Sequence, residues 1–148
     1  MKLLIAYDGH EHSRFALDEG ARIAAEEGAE VTVLGVVHLD VRGIKSAGQV
    51  GFAPYTADDI AHARRYLGEH GVAAETKIVY GDPADEILEE AKRGGYNLIV
   101  VGTRELGPVT GRLLRSVSQK VAKHAPCPIV VAGAHGSKRL EPVLASAA

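Results

Sequence analysis

Residues 98–132, LIVVGTRELGPVTGRLLRSVSQKVAKHAPCPIVVA, contain two short apolar runs separated by a segment with helical spacing. The runs at 98–101 and 129–132 are rich in β-branched residues, which favour strands. Between them, apolar residues recur at Leu114, Val117 and Val121, three or four positions apart, as on one face of a helix. This stretch therefore predicts a strand, a loop, a helix and a second strand.

The same alternation extends over the rest of the chain. Apolar runs at 3–7, 31–37 and 76–80 predict three earlier strands, and helical spacing after each run predicts three further helices. Strands that are apolar on both faces and alternate with helices require a parallel sheet with right-handed crossovers and a helical layer on each face. We predict an α/β fold with a doubly wound, five-stranded parallel sheet.

Residues at the predicted boundaries agree with these helices. Asp82 can cap the third helix, with Pro83 in its first turn and Gly94 and Gly95 at its end, and Thr56 can cap the second helix. These residues fix where the helical segments begin and end along the sequence.

Two segments lie outside the regular pattern. Residues 38–54, HLDVRGIKSAGQVGFAP, predict a mobile loop, either a lid or a disordered surface segment. The chain is divided into an α/β domain over residues 1–134 and a tail over residues 135–148. The tail is small and polar apart from a few apolar residues, so we expect it to be frayed or docked on a neighbouring subunit.

Composition and charge restrict the classes of partner. A chain of 148 residues with 46% hydrophobic residues is long enough for one domain with a core, and its net charge of −2 gives no field that would attract nucleic acid or anionic membranes. Cys127 is the single cysteine, which excludes an internal disulfide and favours a buried, inert thiol. The N-terminal apolar stretch is too short for a signal peptide, and no run approaches the roughly 20 residues of a spanning helix. We expect a cytoplasmic protein that binds neither nucleic acid nor membrane.

The predicted topology indicates where a ligand would bind. In an open α/β sheet the ligand crevice lies beyond the carboxyl ends of the strands, where the strand order reverses. This rule selects Asp8 after the first strand, Val36 in the second and the loop that starts at Gly102. Gly102 would allow a tight turn, and Ser116 and Ser118 lie at the start of a helix whose free N–H groups attract anions.

The charge near this loop favours a bound anion but does not decide whether the loop binds one. Residues 102–124 carry a local charge of +4, from five cationic residues and one acidic residue: Arg104, Arg112, Arg115, Lys120, Lys123 and Glu105. The alternative is that the lysines complement the helix C-terminus and the arginines form a solvated face.

Asp8 and the nearby histidines also have two interpretations each. The Asp8 carboxylate can accept hydrogen bonds from a base or a ribose, or it can form an Asx turn with Gly9. His10, His12 and His38 can lie along one rim as metal ligands or a general base, but their spacing favours exposed, structural histidines.

Three stretches resemble the universal stress protein family: LLIAYDGHEHSRFAL at 3–17, VYGDPADEIL at 79–88, and the stretch at 98–132. The likeness covers residues 2–132 in order. It implies an adenine nucleotide alpha hydrolase-like sheet in the order 3-2-1-4-5, a homodimer paired through the last strand, and, in one branch of the family, bound ATP. Other members bind no nucleotide.

In the nucleotide-binding branch the loop reads G-x2-G-x9-G-[S/T], and Gly102 and Ser116 match it, whereas Glu105 and Arg115 replace the second and third glycines. A carboxylate about 5 Å from a phosphate charge would oppose binding by roughly 3 kcal/mol. Arg115, in contrast, can donate charge-assisted hydrogen bonds to a phosphate, or pair with Glu105 and close an empty site. The nucleotide-binding residues that the likeness implies, with ATP and Mg or Mn as ligands, are Asp8, Val36, Gly102, Thr103, Arg104, Arg115, Ser116, Val117 and Ser118.

Three functions follow from the sequence. The first is a stress-response protein that binds ATP or a related adenine nucleotide without designed catalysis, and the second is a nucleotide-free dimer that acts through protein contacts. The third, a nucleotide-hydrolysing enzyme, has the least support, because the sequence shows no nucleophile–base pair and no metal cluster. A homodimer is expected in either of the first two, since the strand from Pro128 to Ala132 is apolar and lacks the charges that protect an exposed edge.

Overall fold

The computed structural model describes residues 1–37, 52–103 and 116–143. Within these ranges six strands and four helices follow one another along the chain. The strands are β1 (Lys2–Ala6), β2 (Glu30–Val37), β3 (Ala74–Tyr80), β4 (Leu98–Gly102), β5 (Ile129–Gly133) and β6 (Gly136–Leu140). The helices are α1 (Glu11–Glu27), α2 (Phe52–Glu69), α3 (Pro83–Gly94) and α4 (Ser116–His124).

All six strands belong to one sheet, in the order β3-β2-β1-β4-β5-β6. β1 to β5 are parallel to one another, and the register sets Leu3 of β1 between Val31 of β2 and Leu98 of β4. The predicted order of the first five strands is therefore confirmed. The strand order reverses between β1 and β4, so the crevice expected at such a point lies at their carboxyl ends.

The sixth strand corrects three predictions. β6 pairs antiparallel with β5, from Ile129 opposite Leu140 to Gly133 opposite Gly136, through a two-residue turn. The sheet therefore has six strands rather than five, and residues 136–140 form a strand of this sheet rather than a frayed tail. β5 is also not an edge strand, because β6 covers the side that would have been free.

Apolar layers on the two faces of the sheet confirm the doubly wound architecture. One buried cluster joins β1, β2 and β4 to α1 and α2, with Leu3, Ile5 and Leu17 at its centre. The other joins the opposite face to α3 and α4, and includes Ile87 and the buried Cys127, whose pKa is raised by burial. Among the described residues, no helix is both long and apolar enough to cross a membrane.

The start of α3 confirms its predicted cap, whereas α2 begins earlier than expected. The Asp82 carboxylate accepts a hydrogen bond from the Asp85 backbone N–H at 3.0 Å, and the left-handed Gly95 ends α3. α2 starts at Phe52, so Thr56 lies inside the helix rather than at its cap, and residues 52–54 do not belong to a loop. Pro54 falls in the first turn, where its missing N–H removes no helical hydrogen bond. The remainder of the predicted loop, residues 38–51, lies outside the described residues.

One charged side chain is buried beside β3 and α3. The Glu90 carboxylate, 1% exposed, accepts hydrogen bonds from Lys77 at 2.8 Å, Arg93 at 2.9 Å and the Tyr96 hydroxyl at 3.0 Å. Burial alone would raise the pKa of Glu90, but the hydrogen bonds from Arg93, Lys77 and Tyr96 outweigh it and lower the pKa below its ordinary value of 4.5. The pair of cations therefore keeps this carboxylate ionised inside the protein.

Candidate functional site

A cavity of about 370 Å³ lies at the carboxyl ends of β1, β2 and β4, where the sequence predicted the ligand crevice. Five predicted site residues line it: Asp8, Val36, Gly102, Val117 and Ser118. These residues are far apart in sequence, and the parallel strands bring them together because all carboxyl ends point to the same edge of the sheet. The size is at the lower end of small-molecule pockets, which enclose roughly 300–1,000 Å³.

The Asp8 carboxylate forms the predicted Asx turn and also faces the cavity. One carboxylate oxygen, Oδ1, accepts a hydrogen bond from the His10 backbone N–H at 2.8 Å, which is the predicted Asx turn, with Gly9 at φ +82°. The other oxygen, Oδ2, lies 3.4 Å from His12 Nε2, and the side chain remains half exposed at the cavity. The turn therefore fixes the carboxylate in position without closing it to a ligand.

Two histidines beside Asp8 also line the cavity. The His10 side chain is 66% exposed, as expected, but that of His12 is only 14% exposed, so the prediction that these histidines are exposed is wrong for His12. His12 lies in the first turn of α1, with its ring nitrogen Nε2 beside the Asp8 carboxylate. His38 lies outside the described residues, which contain no group of three or more histidine, cysteine or acidic side chains that could hold a metal ion.

Gly102 is a glycine for a reason other than the predicted tight turn. It ends β4 and does not have a positive φ. A Cβ at this position would collide with the His12 carbonyl oxygen, and it would lie 2.9 Å from the His12 carbonyl carbon and 3.0 Å from Ser13 Cα. Backbone atoms of α1 thus pack directly on the end of β4, and this close approach leaves no space for a side chain at position 102.

α4 supplies the polar side of the cavity. Ser116 is its first residue, Val117 is 36% exposed, and Ser118 is only 4% exposed although it lines the cavity. No hydrogen bond joins the Ser118 hydroxyl to another residue in the part of the chain that the structure describes. This hydroxyl is therefore available to a ligand in the cavity that Ser118 lines.

Of the remaining predicted site residues in this loop, Thr103 does not join this group. Thr103 is fully buried, its backbone N–H donates to the Ala132 carbonyl at 2.9 Å, and it does not line the cavity. Arg104 and Arg115, together with Glu105, lie outside the described residues. The predicted contacts of this loop with phosphate therefore stay predictions.

Sequence reasoning missed the apolar walls of the cavity. These are mainly the residues next to the predicted positions on the same elements, together with the first turns of α3: Ala6, Tyr7, Leu34, Val101, Pro83 and Ile87. Burial, with a smaller effect of the nearby Asp59 carboxylate, raises the pKa of Tyr7. Pro83 and Ile87 follow the carboxyl end of β3 along the chain, and that position is the signal that would have selected them.

Comparisons with known proteins identify relatives over most of the chain. The sequence model of the universal stress protein family matches residues 1–141. Universal stress protein YxiE of Bacillus subtilis is 35% identical over 143 residues, an alignment that covers 88% of this chain and 97% of the relative.

Solved structures share the fold. A universal stress protein in complex with cAMP has a TM-score of 0.69 and 26% identity, with 89% of this chain and 95% of that chain covered. A universal stress protein family protein from Arabidopsis thaliana with AMP bound has a TM-score of 0.63 and 22% identity, with 90% and 91% covered. At that lower identity the second likeness shows the fold alone.

Proposed function

The chain belongs to the universal stress protein family, and from this premise we propose that it is a stress-response protein that binds ATP or a related adenine nucleotide. The binding site is the cavity at the carboxyl ends of β1, β2 and β4. The protein binds the nucleotide as a sensor and does not catalyse a reaction on it.

The observation that carries this proposal is that one cavity brings the Asp8 carboxylate and the Ser118 hydroxyl together with apolar walls. The half-exposed Asp8 carboxylate accepts hydrogen bonds, as the amino group of a base or the hydroxyls of a ribose require, and Val36 and Leu34 offer an apolar wall for the base. The hydroxyl of Ser118, which lines the cavity, can donate to a phosphate oxygen.

The relatives support an adenine nucleotide as the ligand, but they do not indicate how many phosphates it carries. One solved neighbour holds cAMP and another holds AMP, and both ligands share adenosine with ATP. A nucleoside site built from Asp8 and Val36 accepts all three, so we propose the adenine nucleotide as a class. A Mg²⁺ or Mn²⁺ ion would enter with the phosphates of the nucleotide, because phosphate oxygens are preferred ligands of such ions.

The first test is mass spectrometry of small molecules released from the purified protein, followed by calorimetric titration with ATP, AMP and cAMP. We expect a stoichiometric adenine nucleotide, or heat with at least one of the three. No release and no heat with any of them would overturn the proposal and favour the nucleotide-free protein that acts through protein contacts. Release of inorganic phosphate from ATP in the presence of Mg²⁺ or Mn²⁺ would contradict the absence of catalysis.

Variants then assign the site. Ser118→Ala should weaken binding about tenfold, the effect of one hydrogen bond of about 1.5 kcal/mol. Asp8→Asn keeps an oxygen for the Asx turn but removes the charge, and should weaken binding by about tenfold or more. Ser137→Ala, an exposed serine on β6 away from the cavity, is the matched control and should bind as the parent does. Equal affinity in all four proteins would exclude the cavity as the site.

A further inference from the structure

The charge of the cavity lining depends on one aspartate and two histidines. Among the described residues, the lining contains the Asp8 carboxylate and the imidazoles of His10 and His12, but no lysine or arginine. With both histidines neutral, the carboxylate leaves this lining negative, which opposes an anionic ligand. Histidine is the side chain whose charge ordinarily changes between pH 5 and 8, so the charge of the cavity changes with pH.

We propose that His12, in its protonated form, makes this cavity prefer a phosphorylated adenine nucleotide to adenosine, and that the preference weakens as the pH rises through the range in which histidine loses its proton. The inference rests on the proposed function, because it concerns the same site and the same class of ligand. Adenosine is uncharged, whereas a nucleotide carries at least one negative charge on phosphate. A cation in the cavity therefore favours the nucleotide alone.

The position of His12 distinguishes it from His10. The His12 side chain is 14% exposed and its Nε2 lies 3.4 Å from Asp8 Oδ2, whereas the His10 side chain is 66% exposed. A charge that is partly shielded from water acts more strongly on a ligand than a charge at the exposed rim. Protonated His12 also offsets the Asp8 charge, while the carboxylate keeps acceptor sites for the nucleoside, since its two oxygens offer about four.

The size of the cavity sets the strength of this effect. A volume of about 370 Å³ corresponds to a sphere about 9 Å across, so a phosphate inside it lies within about that distance of the His12 ring. One pair of opposite charges at this distance, in a partly exposed site, changes an affinity on the order of tenfold, and by less at high salt.

Four other ionisable groups lie near these histidines at the end of β1, on α1 and on α2. The Asp59 carboxylate lies beside Gly9, and α1 contributes Glu11 and Arg14. Carboxylates and guanidinium groups ordinarily keep their charges between pH 5.5 and 8.5. Burial, followed by the nearby Asp59 charge, raises the pKa of Tyr7, so that phenol stays neutral in this range.

The remaining walls do not titrate in this range either. β2, β4 and α3 line the cavity with apolar residues and one glycine. Between α3 and α4, Lys120 lies 2.7 Å from Asp85 and 3.8 Å from Asp82, and the hydrogen bond of Lys120 with Asp85 raises the pKa of the lysine and lowers that of the aspartate. In the part of the chain that the structure describes, the two histidines are therefore the cavity groups that gain or lose a proton in this range.

Calorimetric titration with cAMP and with adenosine, from pH 5.5 to pH 8.5, tests the inference. cAMP is the suitable anion because a phosphate diester has no second proton to lose, whereas a phosphate monoester has a second pKa near 6. We expect the dissociation constant of the parent for cAMP to rise about tenfold from pH 5.5 to pH 8.5. The dissociation constant for adenosine should change by less than about twofold.

His12→Gln separates the charge of His12 from a structural contact. Glutamine keeps a hydrogen-bond donor but does not titrate, so variant and parent should bind cAMP equally at pH 8.5, where histidine is ordinarily neutral, and differ about tenfold at pH 5.5. A merely structural role would weaken binding at both pH values. His124→Gln changes an exposed histidine at the last position of α4, outside the cavity lining, and should keep the pH profile of the parent. The comparison of parent with variant cancels any titration of the ligand, so AMP or ATP serves equally if it is the nucleotide that binds.

Proton uptake gives a second measurement that needs the parent protein alone. Calorimetry of cAMP binding near pH 7, in two buffers of different ionisation enthalpy, counts the protons that the protein takes up. We expect uptake of a fraction of one proton with cAMP and none with adenosine, because binding of an anion favours the protonated form of a nearby histidine. This result does not depend on whether a variant folds.

The outcomes separate the inference from the proposed function. A nucleotide affinity that is independent of pH, a parental pH profile in His12→Gln, or no proton uptake would overturn the role of His12 and leave nucleotide binding in place. A profile that is lost in His10→Gln and kept in His12→Gln would also overturn it. No binding of cAMP, AMP or ATP at any pH would instead overturn the proposed function, and this inference with it.

Discussion

Replacement of Gly102 by alanine tests whether α1 and β4 are held at the distance that the structure shows. The added Cβ would meet three backbone atoms: the carbonyl oxygen and carbon of His12 and the Cα of Ser13. These backbone atoms cannot move away by a rotamer change, as the end of a flexible side chain can. β4 is fixed on this side by its pairing of Gly102 with Ala132, so α1 has to move.

The magnitude follows from that geometry. Overpacking of a well-packed site costs typically 1–3 kcal/mol, and a collision between two backbones belongs at the upper end, about 3 kcal/mol. For a chain of this length each kcal/mol lowers the melting temperature by roughly 2–4 °C. Gly102→Ala should therefore melt about 6–12 °C below the parent in a thermal scan followed by circular dichroism.

Gly68→Ala is the matched control for the loss of a glycine. Gly68 lies in α2, has no positive φ, and would have no atom within 4 Å of an added Cβ. Alanine favours a helix by up to about 1 kcal/mol over glycine, so this variant should melt at or above the temperature of the parent. A Gly102→Ala protein that melts within about 2 °C of the parent would refute the close approach of α1 and β4. His12 and Ser13 also line the cavity, so the same variant should bind nucleotide more weakly, provided that binding is measured where the protein is folded.

Three further predictions concern the fold and the loop. Asp82→Ala removes the acceptor of the Asp85 N–H and should lower the free energy of unfolding by about 1 kcal/mol, measured by urea denaturation. Glu90→Gln should lower the free energy of unfolding by about 1–3 kcal/mol at pH 7. Because the folded pKa of Glu90 lies below its ordinary 4.5, the stabilisation by the ionised carboxylate is fully present above pH 4.5 and is lost as the pH falls through the folded pKa. A difference in unfolding free energy between parent and variant that persists unchanged at pH 3 would contradict the lowered pKa of Glu90. From the sequence alone, Glu105→Gly should strengthen ATP binding by up to roughly 3 kcal/mol, less at high salt, and Arg115→Gly should weaken it by about 1.5–3 kcal/mol in calorimetric titration. If the two residues pair to close an empty site, their effects should instead be non-additive.

The sequence predicted the parallel part of the fold because that part depends on patterns visible over short windows. β-branched runs, helical spacing and the cap at Asp82 each have a local physical cause, and the crossover rules convert them into one strand order. β6 has no such pattern. Its residues, GSKRL, are exposed on both faces except for Leu140, so no alternation of apolar and polar residues marks the strand.

The start of α2 was missed for a related reason. Pro54 and the neighbouring glycine at 51 are typical of a loop, but a proline in the first turn of a helix leaves every required hydrogen bond in place. Gly102 shows the reverse case, in which the position was selected correctly for a wrong reason. A glycine is required at position 102 because the backbone of α1, 90 residues earlier in the chain, lies against it. No local sequence pattern can indicate a contact between such distant residues.

The proposed site separates recognition of the nucleoside from recognition of the phosphates. Asp8 follows the end of β1 and Val36 lies in β2, and the described lining of the cavity contains no lysine or arginine. The sequence offers cationic groups for a phosphate chain in residues 104–115, which contain arginines and in which Glu105 and Arg115 replace the glycines of the family's ATP loop. Affinity for adenosine should accordingly resemble that of nucleotide-binding relatives, whereas the dependence on phosphate number and on salt should be particular to this chain. A protein that responds to the ratio of adenine nucleotides has to distinguish them by their phosphates, because adenosine is common to all of them.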